Sequence, residues 1–454
     1  MSGNGTVPGD GLFPVISAGA RRLSPRNPPP RAGPVPLLEH LRPPEPLSRR
    51  ELGVLALLAT IAFGQGWAGN VLTHTLPFTR EGFGLSDQGI ADVQAIVRSV
   101  ALLAFVFSWW GDNRGRRGPL LLAFFLLPAA NLATAFAPNL TTFATFQGVA
   151  RIGTIAIGSL ALVVLAEEMN PTVRGYAAAV YALFLSMGTG FGLLISPLGD
   201  TGDDGWRLLF GIGTVPLLVL PVLMLRLRES RAFRPGRPRP SIGALLRSGT
   251  ARYFWALAGL SFVISAFSAP AANFILPHMV NDLGWPQSKA SLLLVLVSTP
   301  AVVIGLLAGG RIADTVGRKP TEVVAMLVGA AGGVCFYLFD NGWVLGTAIF
   351  VSILGSSALA PAFTAHRSEV FPTGIRATAT AWIANAAIFG GLGGFLAGRF
   401  VVNAIGLAGM MSMLGLLVVA ATGLVALLPE TRGISLIEDE GEADSPDPGG
   451  AMPV

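Results

Sequence analysis

Residues 310–319 read GRIADTVGRK and lie between two long apolar runs, which end near Gly309 and resume at Val323. Glycine adopts positive φ without steric cost, so this segment suits a tight turn. Basic side chains at the turn, Arg318 and Lys319, favour the cytoplasmic side of a membrane. The pattern predicts a hairpin at which the chain leaves a bilayer, turns and enters it again.

A second copy of this turn lies in the first half of the chain, where residues 111–117 read GDNRGRR. Asp112 and Asp314 hold the same place in the two copies and are 202 residues apart. Three further pairs of segments match at nearly the same spacing: residues 168–174 with 369–376, 229–231 with 430–432, and 68–74 with 271–278. Repeated matches at one spacing predict a chain built from two duplicated halves.

The composition is that of a membrane protein. Hydrophobic residues make up 52% of the chain, charged residues 13%, and the mean hydropathy is +0.62, whereas about a quarter of the residues of a soluble protein are charged. Twelve apolar runs of membrane-spanning length follow one another between Leu52 and Leu428. We therefore expect an all-α membrane protein with twelve transmembrane helices in two pseudo-symmetric six-helix bundles.

Charge and proline content predict the domain limits. Residues 1–50 read as a disordered cytoplasmic tail, 51–226 as the N-terminal bundle, 227–252 as a cytoplasmic loop between bundles, 253–428 as the C-terminal bundle and 429–454 as a cytoplasmic C-terminal tail. Arginines concentrate in alternate turns, which predicts that both termini lie in the cytoplasm. We call the side with the turns at 114–117 and 318–319 the basic face, and the side with Asp200, Asp282 and Asp340 the acidic face.

The second turn matches the pattern G-x-x-x-D-x-x-G-R-K, and on this motif the chain resembles the major facilitator superfamily of transporters. The first copy departs from the pattern at Ser108, where the leading glycine would stand. Residues 369–376 (EVFPTGIR) and 429–433 (PETRG) resemble the sugar porter and related branches, which include organic-acid carriers. The resemblance implies transport of a small metabolite across the plasma membrane by alternating access, either as secondary active transport with proton symport or as facilitated diffusion.

Charged residues at the basic-face helix ends are the candidates for a gate. In a rocking transporter, carboxylate–guanidinium pairs would hold the two bundles together on this face and part when the cavity opens inward. Topology anchoring and helix capping are the alternative roles. The gating candidates are Asp112, Arg116, Arg117, Glu168, Arg174, Glu229, Arg231, Asp314, Arg318, Lys319, Glu369, Arg376, Glu430 and Arg432.

Two arginines fall at membrane depth, Arg98 in the second predicted helix and Arg151 in the fourth. A charge there is costly unless it faces a wet cavity or a partner, so each is a candidate for binding substrate; Arg98 could instead snorkel or pair with a carbonyl. Asp92 is the candidate proton carrier, although a solvated helix end explains it equally well. The remaining substrate-binding candidates are amides and an aromatic residue that helix–helix packing would also explain: Gln65, Asn70, Asn273, Trp382 and Asn385.

The residues at the cargo positions differ from those of a typical sugar porter. Sugar porters tend to carry an aspartate in the first helix that faces an arginine in the fourth. Here Gln65 stands where the aspartate would be, whereas Arg151 occupies what resembles the arginine position. A buried arginine without a carboxylate attracts an anion, which predicts a small organic acid as cargo. The alternatives are a sugar or polyol carrier or facilitator, a multidrug-type proton antiporter, and a transport-dead membrane sensor that retains the fold.

Catalytic and metal motifs are not recognised. The four histidines are scattered, and neither His-Glu-x-x-His nor Gly-x-Ser-x-Gly occurs, so we expect no enzyme activity and no cofactor. A single cysteine, Cys335, excludes an intramolecular disulfide. The partners expected are a small-molecule substrate, membrane lipid and protons but no nucleic acid, and we expect a monomer.

Overall fold

The structure is a computed structural model that describes residues 45–170, 173–202, 204–230, 243, 249–371 and 373–432. Most of the predicted N-terminal tail, most of the loop between the halves, the end of the C-terminal tail and the gating candidate Arg231 lie outside these residues.

Helices of membrane-spanning length make up the described chain, which confirms the predicted all-α membrane fold. Spans 1 to 10 are Arg49–Gly82, Asp87–Arg114, Arg117–Ala135, Leu140–Glu168, Arg174–Asp200, Gly205–Arg226, Ala251–Asp282, Gln287–Thr315, Arg318–Leu338 and Gly342–Glu369. A final helical stretch covers Thr373–Ala426.

This last stretch of 54 residues contains two spans. A continuous helix of that length would extend about 80 Å, far more than the roughly 30 Å apolar core of a bilayer. Gly406 has φ 71° and ψ 176°, values outside the helical region, and it divides the stretch into spans 11 (373–405) and 12 (407–426). Twelve spans therefore cross the membrane, as the hydropathy predicts.

Several spans are broken where the sequence predicted continuous runs. Span 1 consists of Arg49–Ala68 and Val71–Gly82, and span 2 consists of Asp87–Ala101 and Ala104–Arg114. Span 6 contains a 3₁₀ turn at Val215–Val219. Pro216 and Pro221 account for the breaks in span 6, because proline lacks the N–H that an α-helix needs. Hydropathy averages over such local interruptions and does not reveal them.

Glycines bring pairs of spans into backbone contact at equivalent places in the two halves. A Cβ on Gly188 of span 5 would lie 2.1 Å from the carbonyl oxygen of Phe63 in span 1. Gly390 of span 11, 202 residues later, would place a Cβ 2.0 Å from the carbonyl oxygen of Phe262 in span 7. Small residues allow this close approach between membrane helices. The shared contact extends the internal repeat from sequence to packing.

Candidate functional site

Arg98 and Arg151 line one small cavity between the two halves. It has a volume of about 20 Å³ and is bounded by spans 1, 2, 4 and 7. Its lining residues are Ala68, Gly69, Leu72, Thr73, Gln94, Val97, Arg98, Gln147, Ala150, Arg151, Thr154 and Asn273. The structure therefore brings together three of the predicted substrate-binding residues, namely Arg98, Arg151 and Asn273.

The Arg98 side chain reaches from span 2 to span 11. Its guanidinium carbon lies 4.8 Å from the centroid of the Phe395 ring, a cation–π arrangement. A Cβ added to Gly391 would lie 2.9 Å from its Nη1, so the glycine makes room for the guanidinium. The buried Nε has no hydrogen-bond partner in the described structure. Arg98 thus joins the halves through an aromatic ring and retains donor capacity.

Arg151 lies on span 4, on the same cavity. Among the described residues, neither Arg151 nor Arg98 has a carboxylate within ion-pairing distance. Two guanidinium groups on one cavity repel each other and create a positive potential in a low-dielectric environment. A planar guanidinium matches the geometry of a carboxylate and can bind it with two hydrogen bonds. The cavity is therefore suited to an anion.

Asn273 of span 7 holds the cavity together across the halves. Its Oδ1 accepts from Thr73 Oγ1 at 3.0 Å and from Gln94 Nε2 at 2.9 Å, while its Nδ2 donates to the Ala269 carbonyl at 2.8 Å. Gln94 and Thr73 were not among the sequence candidates, nor was Gln147, which donates within its own half. Polar residues at membrane depth are the signal that identified Arg98, and the same criterion would have identified both glutamines.

Gln65 and Asn70 lie near the cavity wall but are engaged within the N-terminal half. Gln65 donates to the Thr154 carbonyl at 2.9 Å and accepts from the Tyr181 hydroxyl at 2.6 Å. Asn70, at the break in span 1, donates to the Gly66 carbonyl at 2.7 Å and to Thr189 Oγ1 at 3.2 Å. Both therefore link helices of one half.

Trp382 and Asn385 of span 11 do not line the two-arginine cavity. Trp382 is 39% exposed. Their assignment to substrate binding stays a prediction without a shared site among the described residues.

A second and larger cavity lies inside the C-terminal half. Its volume is about 180 Å³, and its wall is mostly apolar, with side chains from spans 7, 9, 10 and 12. Phe267 and Ser268 of span 7 line it. Ala271 and Ala272 line this cavity and the neighbouring Asn273 lines the other, so span 7 separates the two.

Polar contacts between the halves extend from the two-arginine cavity to the acidic face. Arg80 of span 1 forms an ion pair with Asp282 of span 7 at 2.7 Å. Asp92 of span 2, the predicted proton carrier, lies 3.2 Å from Arg399 of span 11. Gln287 of span 8 donates to Ser196 Oγ of span 5 at 3.0 Å. We call this set of contacts the acidic-face seam.

The basic-face turns form two equivalent clusters, one in each half. Arg116 pairs with Asp112 at 2.8 Å and with Glu167 at 3.1 Å. Arg318 pairs with Asp314 and, at 3.1 Å, with Glu369. Each of these contacts lies within its own half, so the predicted role as a latch between the halves stays a prediction.

One pairing differs from the sequence alignment of the halves. The repeated segments 168–174 and 369–376 align Glu168 with Glu369. In the structure, however, Arg116 pairs with Glu167. Glu168 instead pairs with Arg50 at 2.8 Å. The number of residues between the turn arginine and the glutamate is the same in both halves. Glu167 follows Arg116 by 51 residues, and Glu369 follows Arg318 by 51 residues.

Four other gating candidates donate from their side chains to backbone carbonyls near the ends of spans. Arg117 donates to the Leu227 carbonyl at 2.8 Å and Lys319 donates to the Leu428 carbonyl at 2.8 Å. Arg174 and Arg376 each donate at 3.1 Å to a carbonyl five residues earlier. Arg432 donates to Glu430 through its backbone N–H at 3.1 Å.

Glu229 and Glu430 close the two turns from the opposite end. Glu229 accepts from the backbone N–H of Arg116 at 2.7 Å, and Glu430 accepts from that of Arg318 at 2.8 Å. Burial by itself raises the pKa of Glu430, but backbone N–H donors of Arg318, Lys319, Arg432 and Thr431 outweigh it and lower the pKa below its ordinary value.

The turn glycines fit against these carboxylates. Gly115 has φ 105° and Gly317 has φ 137°. A Cβ would lie 2.5 Å from Glu229 Oε2 at Gly115 and 2.7 Å from Glu430 Oε2 at Gly317. Both the backbone conformation and the carboxylate therefore require glycine.

Comparison with protein families decides the identity of this architecture. The model of the Major Facilitator Superfamily matches residues 58–271 and 258–446. The chain belongs to the Major Facilitator Superfamily. It is a multi-pass membrane transporter and not an enzyme, as the motifs predicted.

Relatives in this superfamily cover most of the chain. A probable 4-methylmuconolactone transporter of Cupriavidus pinatubonensis is 27% identical over 369 residues, which are 78% of this chain and 85% of the relative. A gallate transporter of Pseudomonas putida is 25% identical over 417 residues, or 83% of this chain and 91% of the relative.

Solved structures share the superfamily fold. The D-xylose-proton symporter has a TM-score of 0.66 at 18% identity, covering 85% of this chain and 99% of its own. A bacterial homologue of the human lysosomal transporter Spinster, in an inward-facing and occupied conformation, has a TM-score of 0.65 at 16% identity, covering 83% of this chain and 95% of its own.

In a transporter of this superfamily, the position of the contacts between the halves indicates which face is closed. In the described part of the chain, the hydrogen bonds and ion pairs between the halves lie between mid-membrane and the acidic face. The basic-face ion pairs of Arg116 and Arg318 each join residues of one half. The transporter is thus fastened at the acidic face.

Proposed function

We propose that this protein carries a small organic anion, an aromatic or related ring-bearing carboxylate, across the plasma membrane by alternating access. The observation that carries the proposal is the cavity shared by Arg98 and Arg151, where two guanidinium groups face one space between the halves without a carboxylate partner among the described residues. Buried cations of this kind are stabilised by an anion.

The hydrogen bonds of Gln65 support this reading. A neighbouring carboxylate would neutralise Arg151, but span 1 offers an amide whose donor and acceptor are both occupied by Thr154 and Tyr181. The substrate's own carboxylate would then neutralise the charge of Arg151. Relatives named as transporters of 4-methylmuconolactone, gallate and 4-hydroxybenzoate have ring-bearing acids or a lactone as cargo, which supports the same class.

Cavity size indicates how binding would proceed. A space of about 20 Å³ holds roughly one water molecule and no aromatic ring. The carboxylate would therefore bind at the arginines while the ring occupies space that opens between the halves toward the basic face. In this proposal the basic face is cytoplasmic, because its turns are rich in arginine. When the acidic-face seam opens, the residues of the basic-face clusters form new contacts between the halves.

A neutral polyol is the second candidate, because Gln94, Gln147 and Asn273 line the same cavity and amides bind hydroxyls. These amides are already hydrogen-bonded to protein groups, which favours the anion.

The test is a thermal-shift and uptake comparison of the wild type with Arg151→Gln. We expect 4-hydroxybenzoate or gallate, but not xylose, to raise the melting temperature by mass action. Arg151→Gln should weaken acid binding by a factor of about thirty or more, because removing one partner of a buried charge pair costs at least about 2 kcal/mol.

Arg311→Gln is the matched control, since Arg311 is an exposed arginine at the basic-face end of span 8. It should bind and transport the acid as the wild type does. Full acid uptake by Arg151→Gln, or a shift with xylose alone, would contradict the proposal.

A further inference from the structure

A buried histidine and a buried glutamate meet at the basic-face end of the C-terminal half. His366 of span 10 and Glu322 of span 9 are both 0% exposed. His366 Nδ1 lies 2.9 Å from Glu322 Oε1, and its Nε2 lies 2.9 Å from the carbonyl oxygen of Pro429, which follows span 12. One imidazole therefore ties together span 9, span 10 and the chain after span 12.

Hydrogen-bond roles fix the number of protons on the pair. A carbonyl oxygen only accepts, so His366 Nε2 must carry a hydrogen. The contact between Nδ1 and Oε1 then requires one more proton, held either as an imidazolium or as a carboxylic acid. Without that proton, lone pairs would face each other at 2.9 Å and the bond would be lost. The pair is thus a site for one exchangeable proton.

The equivalent place in the N-terminal half is apolar. Leu120 and Val164 stand 202 residues before Glu322 and His366, and both are buried. Hydrocarbon therefore fills this position well in the same fold. A buried polar pair is costly to desolvate and stabilises no better than well-packed apolar side chains, so packing alone does not account for the histidine and glutamate.

The pair lies directly behind the C-terminal basic-face cluster. Glu322 follows Lys319 by one helical turn, and Glu369 follows His366 by one turn and pairs with Arg318. Pro429 immediately precedes Glu430. Among the described residues, the charged groups at this end of the surrounding elements are Arg252 of span 7, Arg311 and Asp314 of span 8, Arg318 and Lys319 of span 9, Arg367 and Glu369 of span 10, Arg376 of span 11, and Glu430 and Arg432 after span 12.

We propose that His366 and Glu322 form the proton-binding site of the transport cycle: one bound proton fastens spans 9 and 10 to the chain after span 12, and its release loosens them. The inference rests on the proposed transport function and adds to it coupling to one proton and the site at which that proton binds. In symport the proton enters with the anion from the acidic-face side and leaves to water at the basic face, and no other bond is made or broken. Movement of these spans would shift the ion pairs of Arg318, and with them the basic-face contacts.

Glu322→Gln separates proton binding from structure. The carboxamide can donate to Nδ1 of a neutral His366, whose Nε2–H still bonds Pro429, so the contact survives while the titratable carboxyl is lost. Glu322→Leu with His366→Val copies the apolar pair of the N-terminal half. Asp340→Asn is the control, because it removes one exposed carboxylate at the acidic face.

The first measurement needs no substrate. The melting temperature of the purified protein is followed over the pH range in which histidine and carboxyl groups titrate. Loss of the shared proton with rising pH should destabilise the wild type and Asp340→Asn relative to both pair variants. Parallel profiles for the wild type and Glu322→Gln would overturn the proposal, whatever the cargo is.

The second measurement uses labelled 4-hydroxybenzoate in proteoliposomes, with protein-free vesicles subtracted. One proton carried with each anion allows a pH difference of one unit to drive about tenfold accumulation. We expect Glu322→Gln to exchange the acid across the membrane without accumulating it, whereas Asp340→Asn should do both. Accumulation by Glu322→Gln at the wild-type level would overturn the proton site. A wild type without any exchange of the acids tested would count against the proposed cargo, and the melting profiles would still decide the proton site.

Discussion

The guanidinium groups of Arg98 and Arg151 share a cavity without carboxylates among the described residues, whereas those of Arg116 and Arg318 each lie between two carboxylates. At the scale of single residues, arginine therefore has two different roles in this protein. Paired arginines at the basic face fix the ends of spans, and partnerless arginines at membrane depth create a potential for an anion.

Glu430→Gln tests the turn closure. Because its folded-state pKa is lowered, the Glu430 carboxylate contributes stability above its ordinary pKa, and this contribution is lost as the pH falls through the folded-state value. We expect the variant to lose about 1 kcal/mol of apparent stability at neutral pH, a value reduced for its solvent exposure. Melting curves at neutral and acidic pH should show the difference from the wild type shrinking with acid.

Asp200→Asn, another exposed carboxylate, should leave the melting temperature nearly unchanged. An equal loss for Glu430→Gln at both pH values would speak against the role of its charge.

Sequence reasoning identified Arg151 and both turns because each is a departure from an otherwise apolar pattern. It did not find the contact between His366 and Glu322, which are 44 residues apart on different spans and carry no motif. It aligned Glu168 with Glu369 through the following proline, but the contact depends on helix rotation, which places Glu167 toward Arg116. Spatial partners across spans are set by packing and not by local spacing.

At the scale of elements, glycines decide which spans touch. Gly188 lets span 5 contact the backbone of span 1, and Gly390 does the same for spans 11 and 7. Hydropathy predicted the twelve spans but not the breaks in spans 1, 2 and 6, of which the one in span 6 is due to Pro216 and Pro221.

Gly188→Ala should destabilise the transporter by about 1–3 kcal/mol, because its Cβ would meet a backbone carbonyl that cannot rotate away. Gly190→Ala on the same span is the matched control, since a Cβ there meets no atom within 4 Å and alanine favours the helix. Thermal unfolding in detergent compares the two. A Gly188→Ala protein at least as stable as Gly190→Ala would argue against the close packing.

At the scale of the whole molecule, the two halves form equivalent clusters at the basic face. At the acidic-face seam, they contact each other through residues that are not equivalent in the repeat. Duplicated sequence predicts the first property. The seam could not be predicted, because its pairs join residues from different halves, such as Asp92 and Arg399.

Weakening the seam should expose the two-arginine cavity to the acidic face. Arg80→Gln with Asp92→Asn removes two ion pairs between the halves, each worth about 0.2–1 kcal/mol. We expect a Thr73→Cys reporter, in a Cys335→Ser background, to react several-fold faster with a membrane-impermeant thiol reagent added on that side.

Asp204→Asn is the control, because its ion pair with Arg207 lies within one half. An unchanged labelling rate in the double variant would show that other contacts hold the acidic face closed.

The single non-helical residue between spans 11 and 12 has a mechanical consequence. Gly406 leaves no loop in which the two spans could slide past each other. When Arg399 separates from Asp92, span 12 must travel with span 11. Its exposed side chains, such as Leu416 and Val419, would then displace the surrounding acyl chains. Turnover should therefore depend on bilayer viscosity and thickness as well as on the chemistry of the cargo.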